Sequence, residues 1–150
     1  MTTFSTTSLA RMARTTPATL RLWAEQGWLR PSPTPAGPRY TLTDAVAAAL
    51  AIRYRENGSQ VDRYIGVLQF VAGVSLADLR RAVEEGRTMV CPGEMLGVRS
   101  TPGVLVTPPQ VTDPKVRRLM QAVDLAPVYQ EVMSAAKRLD RKQSGRKVVA

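Results

Sequence analysis

Arg14, Thr15, Thr16, Thr19 and Arg21 fall within a stretch of eight residues, and Arg30, Arg39 and Tyr40 follow at the two ends of the segment RPSPTPAGPR. Guanidinium groups carry five fixed donors and no acceptor, and threonine hydroxyls donate or accept as needed. Such a set binds anionic oxygens, and arginine pairs with phosphate or carboxylate through two parallel hydrogen bonds. Its chemistry is recognition of a polyanion, not bond-making. The rest of the inventory agrees. The chain has no histidine, the commonest general base, and one cysteine, Cys91. A disulfide within the chain is therefore impossible, and a zinc site built from Cys and His is excluded. Glu84, Glu85 and Glu94 are read as surface acids, since no second carboxylate falls at a spacing suited to paired acid–base work. Catalytic residues, metal ligands and cofactors are all expected to be absent, and an enzyme is the least favoured class.

Charge sharpens the picture. The 150 residues carry 21 Lys and Arg against 12 Asp and Glu, a net charge of +9. Residues 1–58 hold seven arginines and three acids, residues 59–112 five of each sign, and residues 113–150 nine bases and four acids. The positive field sits at both ends, which favours nucleic acid or an anionic surface as partner. No run of eighteen apolar residues is present, and MTTFSTTSLARMA lacks the order of a signal peptide, so a cytoplasmic location is expected.

Those residues must be held by elements. Ser5 or Thr6 can cap a first short helix with Leu9, Ala10, Met12 and Ala13 on its inner face. Arg14-Thr15 makes a brief break. Thr16-Pro17 then reads as an N-cap followed by proline at the first helical position, opening a second helix that stops at Gly27. Leu20, Trp23 and Ala24 would face the first helix, with Leu22 undecided. Two short helices around such a break are a helix-turn-helix. The four prolines of RPSPTPAGPR exclude helix, and Trp28-Leu29 and Tyr40-Thr41-Leu42 flank it as the arms of a small hairpin, a wing. Thr43 is expected to cap a third helix ending at Gly58, Ser59 to open a fourth ending near Gly73, and Ser75 to cap a fifth closed by Gly86. Residues 87–112, rich in Val, Thr, Gly and Pro, suit two or three short strands. A last helix starts at Asp113-Pro114 with Val116, Leu119, Met120 and Val123. Pro127 kinks it or restarts it, and the apolar stripe resumes at Val128, Val132, Ala135 and Leu139. RKQSGRKVVA reads as a basic disordered tail.

At this point the residues carry a resemblance. FSTTSLARMA, TTPATLRLWAEQGWLRP and PRYTLTDAVAAALAIRYRENG, in that order, resemble the DNA-binding domain of the MerR family of bacterial regulators over residues 4–58. The resemblance implies a recognition helix with a T-L-R core, a G-x-L-x-P step into a wing, and an R-Y-T/S-x-x-D pattern supplied by Arg39, Tyr40, Thr41 and Asp44. It also implies that Arg21 and Arg39 contact DNA. The chain departs in three places: Leu22-Trp23 replaces the usual aromatic pair, the wing is unusually rich in proline, and residues 58–65 do not carry the family's G-F/Y-S/T-L-E-E-I segment. With Cys91 alone, metal sensing is disfavoured.

The expected fold is mainly α with a small β component. Residues 1–58 form a winged helix-turn-helix, residues 59–140 a helical and β-containing region for dimerisation or partner binding, and residues 141–150 the tail. The expected function is sequence-specific binding of double-stranded DNA for transcriptional control, by a homodimer. The expected contacts are Arg14, Thr15, Thr16, Thr19, Arg21, Arg30, Arg39 and Tyr40. Two further classes share the features: an antitoxin whose residues 59–150 bind a protein partner, and an architectural protein of the phage excisionase type. Trp23 and Trp28 are read as packing residues, Arg53 and Arg55 as a solvated helix face, and Cys91 as a small residue without chemistry. The helix at 114–140 suits either packing within the chain or a dimer seam.

Overall fold

The computed structural model of the chain describes residues 2–91, 104–106, 113–114 and 124–149. Strand β1 (Thr3–Phe4) leads into α1 (Thr6–Ala13) and α2 (Pro17–Glu25). Strand β2 (Tyr40–Thr41) runs directly into α3 (Leu42–Glu56), which is followed by α4 (Val61–Ala72) and α5 (Leu76–Glu84). Strands β3 (Met89–Cys91) and β4 (Val104–Val106) and the long helix α6 (Leu125–Val149) complete the described elements. The architecture is mainly helical with small antiparallel sheets, as the sequence implies. Val116, Leu119, Met120 and Val123, together with Glu94, lie outside the described residues.

The caps show why the helices begin where they do. Ser5 accepts from Ser8 N–H, Thr16 from Thr19 N–H and Ser75 from Asp78 N–H, each satisfying a donor that a helix start leaves orphaned. Helix α3 begins earlier than expected. Its cap is Thr41, not Thr43, because Asp44 stands three residues on and its carboxylate accepts from Thr41 N–H at 2.9 Å. That reciprocal capping box makes Leu42 helical and carries Thr43 into the helix, where it is buried. Gln60, rather than Ser59, precedes α4. Gly27 and Gly58, just past α2 and α3, take φ of 77° and 83°, a region open to glycine without a Cβ clash.

The hairpin is shorter than its flanking apolar residues suggest. Leu29 is buried as a core side chain and does not pair with Tyr40. The arms meet at Ser32 and Arg39, which exchange two backbone hydrogen bonds of 2.9 Å, and at Thr34 and Gly37 beyond them. Tyr40 and Thr41 pair instead with Phe4 and Thr3 of β1. The alternation Pro31, Ser32, Pro33, Thr34, Pro35 explains this ladder. Only alternate residues of an antiparallel arm point their N–H at the partner. Ser32 and Thr34 supply those donors, while the prolines occupy the outward positions, where they remove no ladder bond.

The core runs along α3. From Thr43 to Ile52 every residue is buried, so this helix is surrounded on all sides. Its small side chains, Ala45, Ala47, Ala48, Ala49 and Ala51, let α1, α4 and α6 approach closely. Helix α6 starts after Asp124, whose carboxylate accepts from Ala126 N–H, while Leu125 N–H bonds Thr88 O at 3.0 Å. Pro127 sits in the first turn, where it lacks no intrahelical partner. Leu125, Val128, Tyr129, Val132 and Ala136 join the same buried cluster as Leu9, Leu20 and Leu50. Val128 and Val132 of this apolar stripe pack within the chain, on helices and not on the β segment, with Ala135 and Leu139 partly buried beside them. The basic stretch read as a disordered tail continues α6 to Val149. Its arginines, lysines and glutamine have high helix propensity, and Gly145 alone does not end the helix.

Candidate nucleic-acid interface

The turn between α1 and α2 carries the first group of candidate residues. Arg14 caps α1 in the left-handed conformation, φ 57° and ψ 48°, and is the one non-glycine residue with positive φ among those described. Its N–H bonds back to Ala10 and Arg11 carbonyls, and Thr15 N–H bonds Ala10 O at 2.9 Å. This closure reverses the chain in two residues and brings Thr16 to the start of α2. The Thr16 hydroxyl lies 3.0 Å from that of Thr19 and 3.2 Å from Thr19 N–H. One side of α2 is fixed by Leu20 and Trp23, both buried against the core. The opposite side is exposed, with Thr16, Ala18, Arg21 and Leu22 facing out. Thr15 and Thr19 are half-buried beside it.

The second group frames the hairpin. Arg30 is exposed at its base. Arg39 is half-buried, and its guanidinium reaches β1: Nε donates to Thr3 Oγ1 at 3.1 Å and Nη2 to the Thr3 carbonyl at 2.8 Å. It ties the wing to the body of the protein. Tyr40 is placed differently from its expected role. At 1 % exposure its ring belongs to the core and cannot lie against a ligand. Burial is the main influence on its hydroxyl and raises its pKa above the usual tyrosine value. A hydrogen bond with Thr6 and the nearby charge of Arg21 act in the opposite direction.

Two features of this surface escaped the sequence reading. Leu22 is 49 % exposed, one of two large apolar side chains so exposed among those described. Glu131 of α6 lies beside the turn: its Oε2 is 2.6 Å from Arg53 Nη2 and 3.7 Å from Arg14 Nη2. Arg53, read as a solvated residue, is therefore half of an ion pair that bridges 78 positions. Nothing local in the sequence marks that contact. Leu22 could have been found from its spacing, since it falls off the Leu20–Trp23 stripe.

Two short helices around a tight turn, followed by a hairpin pinned to an N-terminal strand, define a winged helix-turn-helix. Residues 4–71 match the family model of the MerR HTH family regulatory proteins, and this part of the chain is a MerR-type helix-turn-helix DNA-binding segment. The match runs beyond residue 58 and ends within α4, so it spans the segment where the residues depart from the family's usual wording. The match covers less than half of the chain and supports a DNA-binding transcriptional regulator. Comparison with curated proteins and with solved structures gives no match. No helix among the described residues is long and apolar enough to cross a membrane.

Proposed function

We propose that the chain controls transcription by binding specific sequences of double-stranded DNA, with α2 in the major groove and the arginines of the turn and wing on phosphates. The observation that carries this reading is the split of α2: Leu20 and Trp23 anchor one side, and Thr16, Ala18 and Arg21 project from the other. A recognition helix reads bases from its N-terminal residues, which is where these side chains sit. Arg21 suits guanine O6 and N7, and the threonine hydroxyls suit phosphates or bases. Arg14, Arg30 and the outer donors of Arg39 would position the domain on the backbone without specifying sequence.

Residues 1–58 supply these contacts in this reading, and residues 59–140 serve as scaffold and as a surface for a second copy or a protein partner. A helix of nine residues reads few bases, and two-fold pairing on a palindrome doubles the contact set. The seam would lie outside the α6 stripe, which is buried in the chain's own core. The reading assigns the chain no reaction.

Selection of bound fragments from a random duplex pool tests the proposal. It should return a defined site, palindromic if the protein acts as a dimer, with affinity falling steeply as salt rises. Arg21→Ala should weaken binding to that site by about 1–3 kcal/mol while leaving the fold intact. A pool that shows no enrichment, or an Arg21→Ala protein that binds the selected site as tightly as the parent, overturns it.

A further inference from the structure

The exposed side of α2 holds an apolar group that phosphate binding does not use. Ala18, Arg21 and Leu22 are spaced three and four residues apart and so share one face of the helix. All three are exposed, while Leu20 and Trp23 on the other side are buried. Leu22 is half solvent-exposed, whereas the other large apolar side chains of this nine-residue helix, Leu20 and Trp23, are buried. In the major groove the one apolar group a base edge presents is the C5-methyl of thymine. We infer that Leu22 is a specificity-determining residue that packs on a thymine methyl beside the base pair read by Arg21. The inference rests on the DNA-binding reading above and adds the identity of a base.

Charge and position argue for this occupant. Arg21 stands next to Leu22, so the face couples a cation with an apolar patch, and guanine beside thymine presents the matching acceptors and methyl. Residues 1–58 carry seven arginines against three acids, a field that draws a duplex and not an apolar peptide. Ala18 lies one turn before Leu22 and extends the same apolar strip toward the helix start. Leu22 also contributes little to the core, so its removal tests recognition and not folding.

The test uses the full chain and the duplex that selection returns. Each thymine of the site is replaced in turn by deoxyuridine, which removes the methyl and leaves the pairing unchanged. The parent should lose about fourfold in affinity at one thymine per half-site, the effect of burying one methyl group. Leu22→Ala should bind the thymine site about as weakly as the parent binds the deoxyuridine site, and should no longer distinguish the two. Val61→Ala, which trims the other exposed apolar side chain, on α4, should keep the full discrimination. A Leu22→Ala protein that still prefers thymine by the parental factor overturns the inference, as does a parent indifferent to every thymine methyl. In both cases Arg21→Ala still reports on the docking itself. A chain that selects no duplex at all overturns the DNA-binding reading and this inference with it.

Discussion

Arg14 occupies a backbone position that favours glycine, at the turn where the first helix gives way to the second. The left-handed conformation costs an L-residue with a Cβ roughly 1–2 kcal/mol, which glycine avoids. The side chain is 74 % exposed and returns little packing in exchange. Its one described ion pair, to Glu131 at 3.7 Å, is long and solvent-screened. Strain kept at such a place points to a use for the side chain, and a phosphate at the mouth of the groove is the use the DNA-binding reading offers. Arg14→Gly separates the two roles. The variant should unfold at higher denaturant, by about 1 kcal/mol, because the turn is relaxed. It should bind the selected duplex more weakly at low salt, with a salt dependence shallower by about one unit. A variant that gains stability and keeps full affinity would leave Arg14 without a part in docking.

At the scale of elements, the caps were the most legible feature of the chain, since each is written within four residues. Thr16 and Ser75 cap the helices they are expected to cap, and of Ser5 and Thr6 it is Ser5 that caps the first. The third start was misplaced by two residues because two threonines stand side by side around Leu42, and which one caps depends on Asp44. The helix faces were legible too, because the 3.6-residue period separates Leu20 and Trp23 from Arg21. The hairpin was legible as a proline-rich turn, but its partner was not. That β2 pairs with Thr3–Phe4 across 36 positions follows from Arg39 reaching Thr3, which no local pattern encodes. Tyr40 lies in the core for the same reason: a polar aromatic in a motif reads as a surface group until the strand beside it is known. The capping box makes its own prediction. Burial lifts the Asp44 carboxyl above its ordinary 3.8, and the hydrogen bonds from Thr41 oppose that shift. The folded chain therefore holds this proton more tightly than the unfolded one. Stability from Asp44 is full below 3.8 and declines as pH rises through the folded value. Asp44→Asn keeps an acceptor for Thr41 N–H and carries no charge to bury. It should match or exceed the parent in urea unfolding at pH 7, and the difference should shrink at pH 3. Asp44→Ala, which leaves Thr41 N–H without its acceptor, should lose about 1 kcal/mol at pH 3 and less at pH 7, where the contribution of Asp44 in the parent has declined.

Across the whole molecule, the C-terminal helix and the DNA-binding segment share one core and one charge cluster. Helix α6 packs against α5, α3 and α1. Its apolar side chains hold the segment together from behind, and Glu131 places a carboxylate between Arg53 and Arg14. The consequence for stability is small. Glu131 is 46 % exposed and solvent screens the pairs, so they contribute no more than about 1 kcal/mol together. The consequence for DNA is larger, because a phosphate brought to Arg14 meets a negative charge already there, and like charges close to one another oppose docking. Removing that charge with Glu131→Gln should leave the unfolding midpoint nearly unchanged and raise affinity for the selected duplex several-fold at low salt. The gain should fade as salt rises, since the interaction crosses solvent and is screened beyond about 10 Å at 0.1 M. The salt slope should steepen by up to one unit, the signature of one more phosphate neutralised. Measured beside Arg14→Gly, the change also tests its route. In a chain that lacks Arg14, most of the gain from Glu131→Gln should vanish, leaving the part carried by Arg53. If affinity rises equally with and without Arg14, Glu131 acts through the general field of α6 and not through the turn. If it does not rise at all, the helix serves the core alone and the regulator's DNA face ends before Arg14.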